Sequence, residues 1–113
     1  MANLRNRVQL IGNLGIDPEI VKFENGRKLT RFSLATTDVY YDNNGEKKED
    51  TQWHNVVGWG NLAEISEKYL KKGSGIAVDG KIVYRSYENK DGQKRYTTEI
   101  VMDELFMLPR KDA

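Results

Sequence analysis

Cysteine is absent from the 113 residues, and with it go disulfide scaffolds, thiolate zinc sites and thiol nucleophiles. A reducing compartment, the cytoplasm, fits that absence. Histidine occurs once, as His54. Without a second imidazole, or a serine in a recognisable nucleophile elbow, neither a catalytic nor a metal-ligating role finds support. A hydrogen-bonded histidine, buried or at an interface, is the expectation. Glu46, Glu49 and Asp50 cluster, but no Asp-x-Asp-x-Asp-Gly loop holds them, so they read as solvated surface. No apolar run approaches the roughly 20 residues that span a bilayer. The N-terminus lacks the charged and then apolar stretches of a secretory signal, so the mature protein is expected to start near Met1. Net charge is nearly missing too: 18 Lys+Arg against 17 Asp+Glu leave +1. Any attraction to phosphate must therefore come from local segregation of charge.

What remains is 38% hydrophobic and 31% charged, the composition of one soluble globular domain spanning residues 1–113. Its centre is Thr51-Gln-Trp-His-Asn-Val-Val-Gly-Trp59. Strand alternation sends Trp53 and Trp59 to one face and His54 and Val56 to the other, with the indoles about 20 Å apart. Asn61 then suits a helix cap, with Glu64 in the reciprocal position. Leu62, Ile65, Tyr69 and Leu70 give an apolar stripe, Lys71 and Lys72 suit the C-terminal end, and Gly73 suits the position beyond it. A helix over about 61–72 is expected.

Before that centre, Leu4, Val8 and Leu10 alternate with Arg5, Arg7 and Gln9, which predicts a half-buried strand over 4–12 with a basic outer face. Gly12 to Gly15 and Asp17-Pro18 break or bend it. A short extended piece from Glu19 to Phe23 leads to the hairpin signal Asn25-Gly26. The return strand, about Lys28–Thr37, puts Thr30, Phe32 and Leu34 on one face and Arg31 and Ser33 on the other. A polar tongue over about 38–50 follows, its tip at Asp42 to Gly45. After the helix, Ile76, Val78 and Ile82 alternate with Asp79 and Lys81. A second tongue, about 84–95, turns at Asp91-Gly92. The last strand is expected over Tyr96–Met102, with a separate apolar segment from Leu105 to Leu108. Short strands that must close to hide their edges, with one helix between the third and fourth, predict an all-β fold: a small β-barrel of the five-stranded OB type.

One motif points elsewhere. Gly58-Trp-Gly60-Asn-Leu-Ala63, between a strand and a helix and with Asp79 beyond, matches a dinucleotide-binding fingerprint. A parallel strand there would be nearly continuously apolar, whereas Thr51 to Asn55 is mixed, and the rest of the chain reads as hairpins. The aromatic residues resist a bland reading better. Large aromatics are usually core, yet Tyr40, Trp53, Trp59 and Tyr87 stand beside charged or turn residues. Exposed rings that stack on bases, interleaved with cations that follow the backbone, are what single-strand binding without sequence preference requires.

Five collinear segments sharpen this. VQLIGNLGIDPE (8–19), FSLAT (32–36), TQWHNVV (51–57), LAEISEKYLKKG (62–73) and RYTTEI (95–100) together resemble the bacterial single-stranded DNA-binding proteins, over about Leu4 to Leu108. The resemblance implies an OB-fold homotetramer, cytoplasmic and nucleoid-associated, that coats single-stranded DNA in replication, recombination and repair, with no cofactor, catalysis or membrane. It places base stacking on Tyr40, Trp53, Trp59 and Tyr87, phosphate contacts on Arg7, Lys48, Lys72, Arg85 and Arg95, and a subunit interface at His54. Tyr40 and Tyr87 stand where many members have Trp, and Trp59 where many have Phe. Members of the family continue into a flexible tail with an acidic tip that recruits other proteins; this chain stops at Ala113 without one. DNA binding without recruitment, a short paralogue and a truncated chain are the alternatives. For function, the alternatives are a primosomal or RNA-binding OB-fold accessory protein, a nucleotide-binding enzyme and a purely structural barrel.

Overall fold

The computed structural model describes residues 4–109. Its elements are β1 (Val8–Leu14), β2 (Glu19–Lys22), β3 (Lys28–Tyr41), β4 (Lys47–Trp59), α1 (Asn61–Tyr69), β5 (Gly75–Glu88) and β6 (Lys94–Met107). The long strands follow the order β1-β5-β6-β4-β3, and β3 pairs back onto β1, closing a five-stranded barrel with the short β2 on the outer edge of β3. All neighbours are antiparallel except β4 and β6, which run parallel from Asn55↔Glu99 to Val57↔Val101. The expected fold class is borne out. The fingerprint at Gly58 is not a dinucleotide site: β6 lies between β4 and β5, and β5 runs antiparallel to β4, so among the described residues β4, α1 and β5 do not form a βαβ unit.

Closure depends on β1 bending from one partner to the other. Gly12 still pairs with Ile76 of β5, while Asn13 and Leu14 pair with Ala35 and Leu34 of β3. A Cβ on Gly12 would lie 2.0 Å from the Ala35 carbonyl oxygen, so only glycine lets the strands approach this closely. Inside the ring lie Leu14, Phe32, Leu34, Val56, Ile76, Val78, Ile100 and Met102, with Leu70. Burying a side chain such as Phe32 contributes about 1.5–3 kcal/mol, so this alternating inner row is the main stabilising term. Helix α1 packs on β3 and β4 through Ala63 and Ser66, both fully buried. The Ser66 hydroxyl donates to the Leu62 carbonyl at 2.8 Å, which removes the penalty of burying it.

Several sequence expectations need correcting. Leu4 is exposed (89%), because the β1 ladder starts only at Val8↔Gly80. Asn6 extends that ladder with its side chain, accepting from the Ile82 N–H and donating to the Ile82 carbonyl, both at 3.0 Å. The helix cap is Gly60, at φ 64°, with no side-chain hydrogen bond; Asn61 is already the first helical residue. The helix stops at Tyr69 rather than near Lys72, since Leu70 turns to extended backbone and drops into the core. Tyr69 consequently stays exposed. Gly73, at φ 91°, does not close the helix; its N–H reaches the Leu14 carbonyl at 2.8 Å and fastens the following turn to β1.

The tongues are not loops. Each continues its two strands as a hairpin arm, paired out to Tyr41↔Lys47 in one and Glu88↔Lys94 in the other. Both tips use one device. The Asp42 carboxylate accepts from the Asn44 and Glu46 N–H groups, and the Asn89 side-chain oxygen accepts from Asp91 and Gln93, with Gly45 and Gly92 each at φ 78°. Strand β6 also runs further than expected, absorbing Leu105. An irregularity at Asp79/Gly80 leaves Asp103 as an extra residue, so alternation changes phase and both Met102 and Leu105 face inward.

Candidate nucleic-acid interface

Alternation settles which face each side chain takes. Val56 is fully buried in the barrel, so Trp53, Asn55, Val57 and Trp59 belong to the outer face of β4. Ile100 is buried opposite Ile82, so Val83, Arg85 and Tyr87 of β5 and Arg95, Thr97 and Glu99 of β6 are outer as well. The parallel β4–β6 register joins the two groups, setting Asn55 beside Glu99. Trp53, Trp59, Arg85, Tyr87 and Arg95 thus share one surface. It runs from the barrel onto the β5–β6 arm.

Trp53 is 62% exposed. Its ring lies over Gly15, so closely that a Cβ there would come within 2.3 Å of Cζ3. Tyr87 stands directly opposite Arg95 and is 55% exposed. Arg85 Nε meets the Glu99 carboxylate at 2.6 Å, and an Arg95 guanidinium N–H donates to the Gln93 side chain at 3.0 Å. Both arginines are thereby fixed in place with N–H groups to spare. Trp59 is only half-buried, but its ring has company. Phe23 stacks on it at 5.7 Å between centroids with planes 23° apart, and the Arg27 guanidinium sits 4.4 Å from its centroid.

The other expected site residues are placed differently. Tyr40, 52% exposed, is opposite Lys48 and in step with Leu34 and Thr36, so it belongs to the other face of the β3–β4 arm. Lys48 Nζ is held at the arm's tip, 3.5 Å from Glu46 and 4.0 Å from Asp42. Lys72 follows the helix, its N–H bonded to the Asp17 carboxylate at 2.8 Å. A cleft of about 850 Å³ joins it, with Lys71, to Ala35 and Thr37 on the outer face of β3.

Arg7, also expected on the phosphate path, is paired with two aspartates. Its Nη2 donates to the Asp79 carboxylate at 2.8 Å and its Nη1 to Asp103 at 3.0 Å, while Nε lies 2.7 Å from the other Asp79 oxygen as an ion-pair contact. The hydrogen bond to Asp79 holds the guanidinium above its ordinary pKa, against the opposing effect of burial. A fork facing two carboxylates has fewer N–H groups left for phosphate, and it ties the start of β1 to β5 and β6. His54 lies on the inner side of β4, its Nε2 2.9 Å from the Thr36 hydroxyl. Among the described residues no group of three His, Cys, Asp or Glu is placed to hold a metal ion, and no helix is long and apolar enough to cross a membrane.

Phe23 and Arg27 were not singled out from the sequence. Their signal was available: they flank Asn25-Gly26, and a tight hairpin makes such residues face each other. That they would land on Trp59 follows only from the pairing of β3 with β4, where Leu29 is opposite Trp59.

Residues 5–108 match the profile of the Single-strand binding protein family. The chain is similar to Single-stranded DNA-binding protein 1 of Xylella fastidiosa, 50% identical over 98% of this chain and 82% of that protein. It is similar also to Single-stranded DNA-binding protein 1 of Chlorobaculum tepidum, 44% identical over 100% of this chain and 70% of that one. Among solved structures, Plasmodium falciparum SSB in complex with ssDNA superimposes with a TM-score of 0.85 at 32% identity, over 96% of this chain and 99% of that chain. The single-stranded DNA binding protein from Thermus aquaticus does so with a TM-score of 0.77 at 31% identity, over 92% of this chain and 50% of that chain.

Proposed function

The chain belongs to the single-strand binding protein family, a family of DNA-binding proteins and not of enzymes, and we propose that it coats single-stranded DNA without sequence specificity, in replication, recombination and repair. The observation that carries this reading is the common outer face of Trp53, Trp59, Tyr87, Arg85 and Arg95. Bases turned toward it stack on the rings, each contact worth about 1–3 kcal/mol, while the arginines follow the backbone. Every base has a π-face, so the mode needs no particular sequence. A duplex keeps its bases stacked inside and offers these rings nothing. Tyr40, Lys48 and Lys72 would extend the path around the arm and along the cleft beside β3. Each phosphate neutralised makes the log–log slope of affinity against salt steeper, more negative by about 0.7.

The protein is proposed to work as a homotetramer with His54 near a subunit contact. The support is a row of apolar side chains left outside the barrel: Ile11 and Phe106, 67% and 69% exposed, lie in register on either side of Ala77. Such a row suits burial against another copy.

The test is truncation of the rings. Trp53→Ala should weaken oligo(dT) binding roughly 5- to 150-fold, the span of one stacking contact, while sedimentation shows an unchanged assembly. Unaltered affinity in both Trp53→Ala and Trp59→Ala would remove the platform from the mechanism.

A further inference from the structure

The hairpin between β2 and β3 carries a group that the stacking and phosphate residues above do not include. Phe23 and Arg27 face each other across Asn25-Gly26, with the Phe23 N–H bonded to the Arg27 carbonyl at 2.8 Å. The Arg27 N–H is bonded in turn to the Asn25 side chain at 3.0 Å. Gly26, at φ 87°, makes so tight a turn possible. Arg27 is in step with Leu29, which pairs with Trp59, so alternation carries both hairpin residues onto the Trp59 face. The result is a cluster of Phe23, Trp59 and the Arg27 guanidinium.

Arg27 has a different kind of partner from the cations that are held by carboxylates. Arg85 faces Glu99, Lys48 faces Glu46, Lys28 faces Glu67, and Arg7 faces two aspartates. The Arg27 guanidinium rests on an aromatic ring, and among the described residues no carboxylate lies within ion-pair distance of it. Resting on a ring engages the flat face of the group; its N–H edges stay free for two parallel bonds to a phosphate. Phe23, meanwhile, is stacked on Trp59 and still 43% exposed. A nucleotide presents one π-face and one anion in a single unit, and the hairpin offers the complement of both.

We infer that Phe23 and Arg27 form a nucleotide-binding extension of the interface, Phe23 stacking on a base and Arg27 taking the adjoining phosphate while it stays on Trp59. This rests on the proposed single-strand binding and names two further residues of that site. Binding begins at the β2–β3 hairpin and continues over Trp53 to the β5–β6 arm.

The experiment is equilibrium titration with oligo(dT) at several salt concentrations, on the full chain and on Arg27→Ala, Arg27→Lys, Phe23→Leu and Trp53→Ala, with thermal melting as a folding control. Arg27→Ala should flatten the log–log salt slope by about 0.7 and weaken low-salt binding several-fold. Arg27→Lys should restore the slope, since it keeps the charge, but not the full affinity, since it loses the fork. Phe23→Leu should leave the slope alone and cost roughly fivefold or more. If Trp53→Ala weakens binding while the Arg27 and Phe23 variants match the unmodified chain, the hairpin extension is wrong and the platform stands. If the unmodified chain does not bind oligo(dT), both fall.

Discussion

Gly12 and Gly15 stand three residues apart, and replacing each by alanine should give opposite kinds of damage. A Cβ on Gly12 would sit 2.0 Å from the Ala35 carbonyl oxygen and 2.9 Å from its carbon. The nearest comfortable carbon–oxygen contact is about 3.3 Å, so β1 and β3 would have to separate by over 1 Å where the barrel closes. Backbone cannot yield cheaply, and overpacking of this kind costs about 3 kcal/mol or more. At about 4 °C per kcal/mol for a domain of this size, Gly12→Ala should lower Tm by about 12 °C or more. On Gly15 the obstacle is a side chain: Trp53 Cζ3 at 2.3 Å and Cη2 at 2.8 Å. Carbon atoms settle at about 3.5–4.0 Å, so the indole must slide over 1 Å, a strain of about 0.5–1.5 kcal/mol. Gly15→Ala should therefore melt within a few degrees of the unmodified protein yet bind oligo(dT) less tightly, because the ring it displaces is the platform. Thermal melting beside fluorescence titration reads both. A Gly12→Ala protein as stable as the parent would refute the closure argument. A Gly15→Ala protein with unchanged affinity and an unchanged tryptophan spectrum would refute the placement of Trp53 over Gly15.

Other consequences are as direct. The Thr30 hydroxyl is fully buried with no hydrogen-bond partner among the described residues, so Thr30→Val should raise stability by about 1 kcal/mol or more in a urea melt; a loss of stability would mean the hydroxyl is satisfied. The Glu67 carboxyl is held below its ordinary value of 4.5, first by the hydrogen bond from Lys28 and then by that residue's charge. A depressed folded pKa stabilises the fold above pH 4.5 and loses that effect as pH falls through the lowered value. Lys28→Met should bring the Glu67 titration, followed by NMR, back up toward the ordinary value; an unmoved titration would show that Lys28 is not the cause. Finally, Arg7→Met should reduce thermal stability while leaving the salt slope of DNA binding unchanged, since that guanidinium is engaged by Asp79 and Asp103. A flatter slope would return it to the phosphate path.

Much of this was legible in the chain because its physics is local. The alternation of Thr30, Phe32 and Leu34 gives the inner row of β3 directly, and Asn25-Gly26 and Asp91-Gly92 mark their turns without help from the rest of the fold. Trp53 and Trp59 were assigned to one face by counting alone. What was not legible depended on partners distant in sequence. Arg7 looked like a basic outer residue until β5 and β6 supplied two aspartates. Asn61 looked like a cap, but the tight exit from β4 put Gly60 in that place. Leu105 read as a separate segment because the extra residue at Asp103 breaks the alternation that would have joined it to β6. Phe23 and Arg27 belong to the same class: they meet Trp59 only through the register of β3 on β4.

The most direct measurement is tryptophan fluorescence during titration with oligo(dT), beside duplex DNA of equal length, at low and high salt. Stacking on Trp53 and the neighbouring rings predicts strong quenching by oligo(dT), little by duplex, and quenching that survives at high salt after the phosphate contribution has been screened. Equal binding to duplex, or none to the single strand, would contradict the outer face as a single-strand platform.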